Sequence, residues 1–282
     1  MNVQEIPLAF DCHGDTLIGI VHQPEQAAKR GVLAVVAGGP QYRAGCCRQL
    51  VYMARDLSAN GIPVMRFDYR GMGDGGGDFS GFQYVEDDLE AALRAFSESV
   101  PGLEEVVLWG GCDAASAILI HAWRHPIVTG MILGNPYAHT NATEAVVTRK
   151  YYLQRLRDKA FWTKLLTLQH NPLKMACSAW GSLRGVSRHK AHAPHQGGIP
   201  FTDRMLAGLK QFRGHILLLM SGQSLTSQEF DVLMGTSTAW HTAVQSAKMN
   251  RVDIAEADQA FSSIDARQQM IIATRNWLND LH

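Results

Sequence analysis

Residues 106–120, VVLWGGCDAASAILI, join an apolar run to two glycines, a cysteine and a series of small residues. The apolar run predicts a buried β-strand, and residues 114–123 predict a helix. Cys112 would then occupy the turn between them. Such a turn can be sharp only if the residues two before and two after its centre are small, and Gly110 and Ala114 meet that condition. The pattern predicts a nucleophile elbow centred on Cys112, and the alternative is a cysteine buried for packing.

The sequence on either side of this turn alternates between strand and helix patterns. Continuous apolar strands separated by amphipathic helices are typical of a parallel sheet that is covered on both faces. We therefore predict an α/β fold. The expected strands are residues 5–10, 15–24, 31–39, 62–71, 104–110, 127–136, 214–222 and 249–257, and the expected helices are residues 48–61, 82–96, 114–123 and 266–281.

One segment interrupts the alternation. Residues 137–208 are aromatic and basic, and residues 137–195 contain ten Lys or Arg against two acidic residues, although the whole chain has 26 of each sign. An insertion between two parallel strands lies beside their carboxyl ends, where a lid would sit. The predicted organisation is a core formed by residues 1–136 and 209–282, with a helical cap formed by residues 137–208.

Acyl-transfer chemistry at the elbow would need two backbone N–H groups to stabilise an oxyanion. The first is the N–H of Asp113, directly after the nucleophile. The second comes from the glycine-rich loop after the third strand. Because Pro40 has no N–H, the candidates there are Gly39 and Gln41. The helix N-terminus favours a thiolate at Cys112, and the neighbouring Asp113 opposes it.

Other patterns indicate no cofactor and no metal. Residues 71–76 match G-x-G-x-x-G, but no helix begins at once, as a dinucleotide site would require. The five cysteines have no C-x-x-C spacing, and we expect reduced thiols. Zero formal charge gives no reason to expect nucleic acid as a partner. Since no targeting segment or membrane-spanning run is visible, we expect a cytoplasmic protein.

Six segments carry a resemblance to a known family. They are AVVAGGPQYRAG (residues 34–45), MRFDYRGMGD (65–74), LWGGCDAASA (108–117), YYLQRL (151–156), LLLMSGQSLTSQEF (217–230) and ADQAFSS (257–263). Together they resemble the exosortase A system-associated hydrolase type 1 family, bacterial α/β-hydrolases associated with exopolysaccharide and PEP-CTERM protein-sorting loci. The resemblance covers nearly the whole chain. It implies an α/β-hydrolase fold with a helical cap and an acyl hydrolase or acyltransferase with a cysteine nucleophile.

Two positions depart from the family pattern. The pattern implies an aspartate within SGxDLT and a histidine within ADHTFS, where this chain has Ser224 and Gln259. A glutamine cannot accept and return a proton at neutral pH, so the expected general base is missing.

Three interpretations stay open. Cys112 could react with an activated ester or thioester without the base, since a thiolate needs less help than a hydroxyl. A histidine of the cap could replace the base, the candidates being His139, His189, His192 and His195. The third interpretation is a catalytically degenerate protein that binds a ligand or partner.

The predicted cap also bears on the substrate and on partners. Its apolar and aromatic residues lie among cations, so it could cover an acyl chain while the cations hold an anionic head group, such as that of CoA or a polyprenyl phosphate. It could equally contact an anionic membrane face. The simpler alternative is a packed cap whose charges are solvated. The expected substrate is a small-molecule ester or thioester, and the sequence does not indicate an oligomeric state.

Overall fold

A computed structural model describes residues 3–37, 42–140 and 199–281 of the chain. In these ranges eight strands form a single sheet. The strands are β1 (Val3–Cys12), β2 (Asp15–Pro24), β3 (Arg30–Val35), β4 (Val64–Phe67), β5 (Glu105–Gly111), β6 (Val128–Gly134), β7 (His215–Ser221) and β8 (Lys248–Ile254).

The strand order in the sheet is β1-β2-β4-β3-β5-β6-β7-β8. Strands β3 to β8 run parallel to one another, and β2 runs antiparallel to both β1 and β4. Because β5 lies inside the sheet, between β3 and β6, the turn that follows it has strand ends on both sides. The carboxyl ends of parallel strands form the edge at which such sheets place their binding residues.

Seven α-helices occur in the described ranges. They are α1 (Gln49–Ala59), α2 (Glu86–Ser99), α3 (Asp113–His121), α4 (Phe201–Gln211), α5 (Leu225–Thr236), α6 (Thr238–Ser246) and α7 (Ile264–Asp280). Alternate residues of the central strands pack on opposite sides, and both sides are buried. Leu33 joins the cluster that includes residues of α2 and α3, whereas Val32 joins the cluster that includes α1 and α7.

The predicted α/β-hydrolase fold is confirmed, and each expected strand is present. Helices α5 and α6 were not predicted, and one expected helix begins later than predicted. The helix expected over residues 82–96 begins at Glu86, and residues 82–84 form a separate 3-10 turn. Phe82 in that turn contacts Phe201 edge to face, with 5.6 Å between ring centroids, so its apolar character reflects packing against α4.

The predicted cap is described only at its two ends, residues 137–140 and 199–208, and residues 141–198 lie outside the described ranges. Helix α4 spans the predicted boundary at residue 208 and packs on α3. A Cβ atom on Gly208 would lie 1.8 Å from the Leu119 carbonyl oxygen, so only glycine permits this close approach. The predicted division into core and cap stays a prediction.

Candidate active site

The turn between β5 and α3 has the geometry of a nucleophile elbow. Cys112 has φ 55° and ψ −125°, a backbone conformation that is strained for any residue with a side chain. Its N–H donates to the Gly134 carbonyl at the end of β6, at 2.8 Å. A Cβ on Gly110 would lie 3.0 Å from the Ala114 Cβ and 2.7 Å from Ile118. The small residues at 110 and 114 are therefore what allows the strained turn to close.

The sulfur of Cys112 lies in an environment that favours the neutral thiol. Burial, followed by the negative charge of Asp113, raises the pKa of the Cys112 thiol to about 11. The Asp113 N–H and the Gln259 side chain act in the opposite direction, and both effects are smaller. Burial and the Asp113 carboxylate thus outweigh the thiolate-stabilising groups at the start of α3, and Cys112 is protonated at neutral pH.

Gln259 follows β8 and reaches the nucleophile. Its Nε2 donates to the Cys112 sulfur at 3.0 Å, and its Oε1 accepts from the Thr226 hydroxyl at 2.7 Å. The Ser224 hydroxyl lies 3.4 Å from the same Oε1. Ser224 also caps α5, because its oxygen accepts the Ser227 N–H at 3.2 Å. Its proton is therefore available for Gln259, and two hydroxyl donors fix the amide with its NH2 group toward sulfur.

The structure therefore brings together Cys112, Ser224 and Gln259, which the sequence had placed 35 to 147 positions apart. Cys112 has the position of a nucleophile, Gln259 bridges it to Ser224, and Ser224 has the position of the supporting group. The Gln259 amide, however, can only donate a hydrogen bond to the sulfur. It orients the thiol and cannot remove its proton. Thr226 was missed by the sequence reasoning, although it lies only two residues after the expected acid position.

Asn135 is a further residue that the sequence reasoning missed. It is fully buried at the end of β6 with φ 47°. Its Nδ2 donates to the Ser221 hydroxyl at 2.7 Å and to the Gln259 carbonyl at 2.9 Å, and its Oδ1 accepts from the Ser221 N–H and the Ser227 hydroxyl. One side chain thereby joins β6, β7, α5 and the Gln259 loop. An asparagine directly after a buried strand was the available signal.

The loop that should supply the second oxyanion donor is described only on its flanks. Gly39 and Gln41 lie outside the described residues. Just after them, the Arg43 N–H donates to the buried Asp68 carboxylate at 2.5 Å, and its guanidinium pairs with Asp68 and Asp74. The Arg43 carbonyl accepts from Arg66 at 2.8 Å. These contacts anchor the end of the loop to the strand β4 region.

The glycine-rich segment at residues 71–76 packs closely beside these contacts. A Cβ on Gly73 would lie 2.5 Å from the Asp68 carboxyl carbon, and one on Gly71 would lie 2.3 Å from the Phe79 nitrogen. Close packing accounts for both glycines, at Gly73 against the Asp68 carboxylate of the ion pair and at Gly71 against the backbone of residues 78–79. The match to a dinucleotide pattern therefore has a structural explanation.

His139 is the one described member of the four candidate cap histidines. Its Nδ1 lies 2.8 Å from Glu229 Oε1, and its ring stacks on Tyr137 with 6.2 Å between centroids. The Tyr137 N–H donates to the Cys112 carbonyl at 3.1 Å. An imidazole–carboxylate pair thus lies near the elbow. His189, His192 and His195 lie outside the described residues.

Two cavities differ in their relation to this site. A cavity of about 150 Å³ is lined by Cys112, Asp113 and Gln259, among others. A larger cleft of about 420 Å³ lies at the opposite edge of the sheet, where Glu105, Val128 and His215 begin or flank the amino ends of strands. Since parallel sheets place their chemistry at the carboxyl ends, the smaller cavity is the one that belongs to the site.

In the ranges that the structure describes, no group of three or more His, Cys, Asp or Glu side chains is arranged to hold a metal ion. The same described residues include no helix with the length and hydropathy needed to cross a membrane.

The fold and the elbow define an α/β-hydrolase, and sequence comparison gives the family. Residues 28–215 match the family described as serine aminopeptidase, S33. This match covers more than half of the chain, so the protein belongs to that family and is an α/β-hydrolase-family hydrolase. No curated protein sequence matches the chain significantly.

Solved structures share the fold at low sequence identity. An esterase of Pyrococcus furiosus has a TM-score of 0.66 and 12% identity, over 99% of this chain and 92% of its own. The esterase Est1E of Butyrivibrio proteoclasticus, with ferulic acid bound, has a TM-score of 0.60 and 12% identity, over 97% and 98%. A proline iminopeptidase of Mycobacterium smegmatis has the same four values. At such identities the likeness concerns the fold alone.

Proposed function

We propose that Cys112 accepts an acyl group from an activated ester or thioester. The observation that carries this proposal is the position of its sulfur, held at a strained elbow and 3.0 Å from the Gln259 amide. In acyl transfer to a thiol, the Cys112 sulfur bonds to the acyl carbon and the bond to the leaving group breaks. The Cys112 proton passes to the leaving thiolate or alkoxide. The Asp113 N–H would stabilise the oxyanion that forms in between.

The proposed weakness of the site is its second step. Hydrolysis of an acyl-cysteine needs a base that removes a proton from water, and the Gln259 amide cannot act as that base. Loss of positioned acid–base catalysis costs about 10²- to 10⁴-fold in rate. An acyl-Cys112 intermediate should therefore persist, and transfer to an acceptor that is itself nucleophilic, such as an amine, should compete well with water.

Among the described residues, His139 is the candidate that could replace the missing base. Its hydrogen bond with Glu229, at 2.8 Å, is of the kind that orients an imidazole in a catalytic triad. Under this alternative, acyl-Cys112 turns over in the unaltered protein and accumulates in His139→Asn. Glu229→Gln should give an intermediate result, because the imidazole would remain but lose its charged partner.

The biological setting is proposed from resemblance. Similarity to the exosortase A system-associated hydrolases suggests a role in bacterial exopolysaccharide or protein-sorting systems. We also propose a cytoplasmic location. In addition, we propose that the basic residues in 141–198 contact an anionic head group or membrane face. A test is co-sedimentation with vesicles of phosphatidylcholine alone and with added phosphatidylserine, in which the predicted contact gives salt-sensitive binding only to the anionic vesicles.

The test of the chemistry is intact-mass spectrometry after exposure to acyl-CoA thioesters of two to sixteen carbons. The proposal predicts one added acyl mass that is lost in Cys112→Ala, while Cys47→Ala, at an exposed cysteine, retains it. An adduct that persists in Cys112→Ala would place the nucleophile elsewhere.

The rival function is a non-catalytic binding protein on the same fold. The observation that favours it is the amide at position 259, which bonds sulfur without being able to activate it. This rival predicts no Cys112-dependent adduct at any chain length. The same experiment therefore separates the two functions.

A further inference from the structure

Two cysteines that are neighbours in the sequence have their sulfur atoms in contact just before α1. The sulfurs of Cys46 and Cys47 lie 3.8 Å apart, so that either thiol can donate to the other. Cys47 is exposed and Cys46 is half-buried. The proposed acyl transfer at Cys112 uses neither sulfur.

The backbone holds the two cysteines in a closed turn. Cys47 has φ 49° and ψ 29°, and Arg48 has φ 59° and ψ 23°. Both lie in the left-handed region, which costs free energy for residues with a side chain. The Arg48 N–H donates to the Gly45 carbonyl at 3.2 Å. The Leu50 N–H donates to the Ala44 carbonyl at 3.1 Å, so hydrogen bonds fix the turn on both sides of the pair.

The pair lies beside the proposed nucleophile. Cys46 lines the cavity of about 150 Å³ that Cys112 also lines. Burial raises the pKa of the Cys112 thiol to about 11. Burial, followed by the hydrogen bond with Cys47, raises the pKa of the Cys46 thiol. Since oxidants react with thiolates that they can reach, the exposed sulfur of Cys47 is the first of the three that a dissolved oxidant meets.

We propose that Cys46 and Cys47 are a redox-modification site, at which a peroxide converts the two thiols into a disulfide. The Cys47 thiolate attacks one peroxide oxygen, the O–O bond breaks, and a sulfenic acid and one water form from hydrogen peroxide. The Cys46 sulfur then attacks the Cys47 sulfur, the S–O bond breaks, and the hydroxyl leaves with the Cys46 proton as a second water. Two thiols are oxidised and one peroxide is reduced. The inference does not depend on acylation of Cys112.

The disulfide should be easy to reverse because the two residues are adjacent. Their peptide bond is trans, which places consecutive Cα atoms about 3.8 Å apart. Disulfides usually join Cα atoms about 4.4 to 6.8 Å apart, and a bond outside that range is strained and more reducible. A thiol such as glutathione should therefore restore the two cysteines.

The test follows a single peptide. Trypsin cleaves after Arg43 and Arg48, which releases residues 44–48, AGCCR, with both cysteines of the pair and no other cysteine. The protein is treated with hydrogen peroxide at a pH of about 7.5, alkylated with iodoacetamide and digested. We expect this peptide to lose two hydrogens and take up no alkyl group, and glutathione added before alkylation should restore both alkylation sites. The pair should be oxidised at least about tenfold faster than the buried thiol of Cys112.

Three variants assign the bond. Cys46→Ser should stop at the sulfenic acid of Cys47, which dimedone traps, and Cys47→Ser should leave Cys46 open to alkylation. Cys112→Ala is the matched control and should form the disulfide at the unaltered rate. A peptide that links Cys46 or Cys47 to Cys112, to Cys177 or to a second chain would overturn the inference. Oxidation of Cys47 to a sulfinic acid in place of the loss of two hydrogens would overturn it as well.

Phenylarsine oxide tests the pairing of the sulfurs without an oxidant. Its arsenic bonds to two thiols, and its oxygen leaves as water with the two thiol protons. We expect one such adduct by intact mass, which Cys46→Ser and Cys47→Ser each lose and Cys112→Ala retains. An adduct that persists in either serine variant, or no adduct on the unaltered protein, would show that the two sulfurs do not act as a pair.

Discussion

Replacing Gln259 with histidine should convert a thiol held by an amide into a thiol paired with a base. The Gln259 Nε2 lies 3.0 Å from the Cys112 sulfur, and an imidazole at the same place has a nitrogen within similar reach. A histidinium stabilises a neighbouring thiolate, and cysteines paired in this way have pKa values of about 3.5 to 7.5. We therefore expect the pKa of Cys112 to fall from about 11 toward 6 in Gln259→His.

The size of the effect follows from two opposing factors. With a pKa of about 11, the thiolate fraction of Cys112 at pH 7.5 is about 3 in 10,000, whereas a pKa near 6 makes it nearly complete. That is a gain of about 3,000-fold in thiolate. A thiolate is a weaker nucleophile when its thiol has a lower pKa, with a Brønsted coefficient of about 0.4–0.5. Lowering the pKa by about five therefore reduces the reactivity of each thiolate about 200-fold. The net expectation is about a 15-fold faster reaction at pH 7.5.

The assay is the rate of Cys112 alkylation by iodoacetamide, followed by peptide mass spectrometry from pH 6 to 10.5. In the unaltered protein the rate should rise about tenfold per pH unit across this range, because the pKa lies above it. In Gln259→His the rate should reach a plateau above about pH 7. Gln259→Met, which has similar length and no proton to exchange, is the control and should keep the steep rise. A steep rise in Gln259→His as well would refute the reasoning that residue 259 controls the thiol.

Three further predictions concern stability. Burial lowers the pKa values of His22 and His121 to about 4, so the unfolded chain takes up protons before the folded protein does as the pH falls. The free energy of unfolding by urea should therefore drop between pH 6.5 and 4.5, by about 5 kcal/mol at most for the two histidines together. A free energy of unfolding that does not change over this pH range would contradict the prediction. Asp68→Asn removes the charge that pairs with Arg43 and should cost about 3 to 5 kcal/mol in thermal or urea unfolding, with the exposed Asp74→Asn as a near-neutral control. Asn135→Asp keeps the acceptor and loses the two Nδ2 hydrogen bonds, which should cost about 2 to 4 kcal/mol; an unchanged unfolding midpoint would show that these bonds are not needed.

Much of the fold could be predicted from the sequence because its signals are local. Short apolar runs such as residues 214–222 and 127–136 are typical of strands in a sheet covered on both faces, and both were found as β7 and β6. The elbow could be predicted because its two small residues are fixed by a steric requirement at known spacing, and the Gly110–Ala114 contact shows that requirement directly.

The site could be predicted only in part, because its polar contacts join distant segments. Resemblance identified positions 224 and 259, yet nothing local to Gln259 shows that its amide bonds the Cys112 sulfur or that Thr226 supports it. The pKa of Cys112 was equally hidden, since the helix N-terminus and Asp113 are visible in sequence but the dominant effect, burial, is not.

The most direct test of the central claim is the lifetime of acyl-Cys112 after the acyl donor is removed. The protein is loaded with an acyl-CoA thioester, passed rapidly through gel filtration, and followed by intact mass at pH 7.5. The account predicts an adduct on Cys112 that persists, and that disappears about 10²-fold faster or more in the double variant Gln259→His with Ser224→Asp. Rapid loss of the adduct from the unaltered protein, at a rate that the double variant does not exceed, would contradict the claim that the amide at position 259 has removed the hydrolytic step.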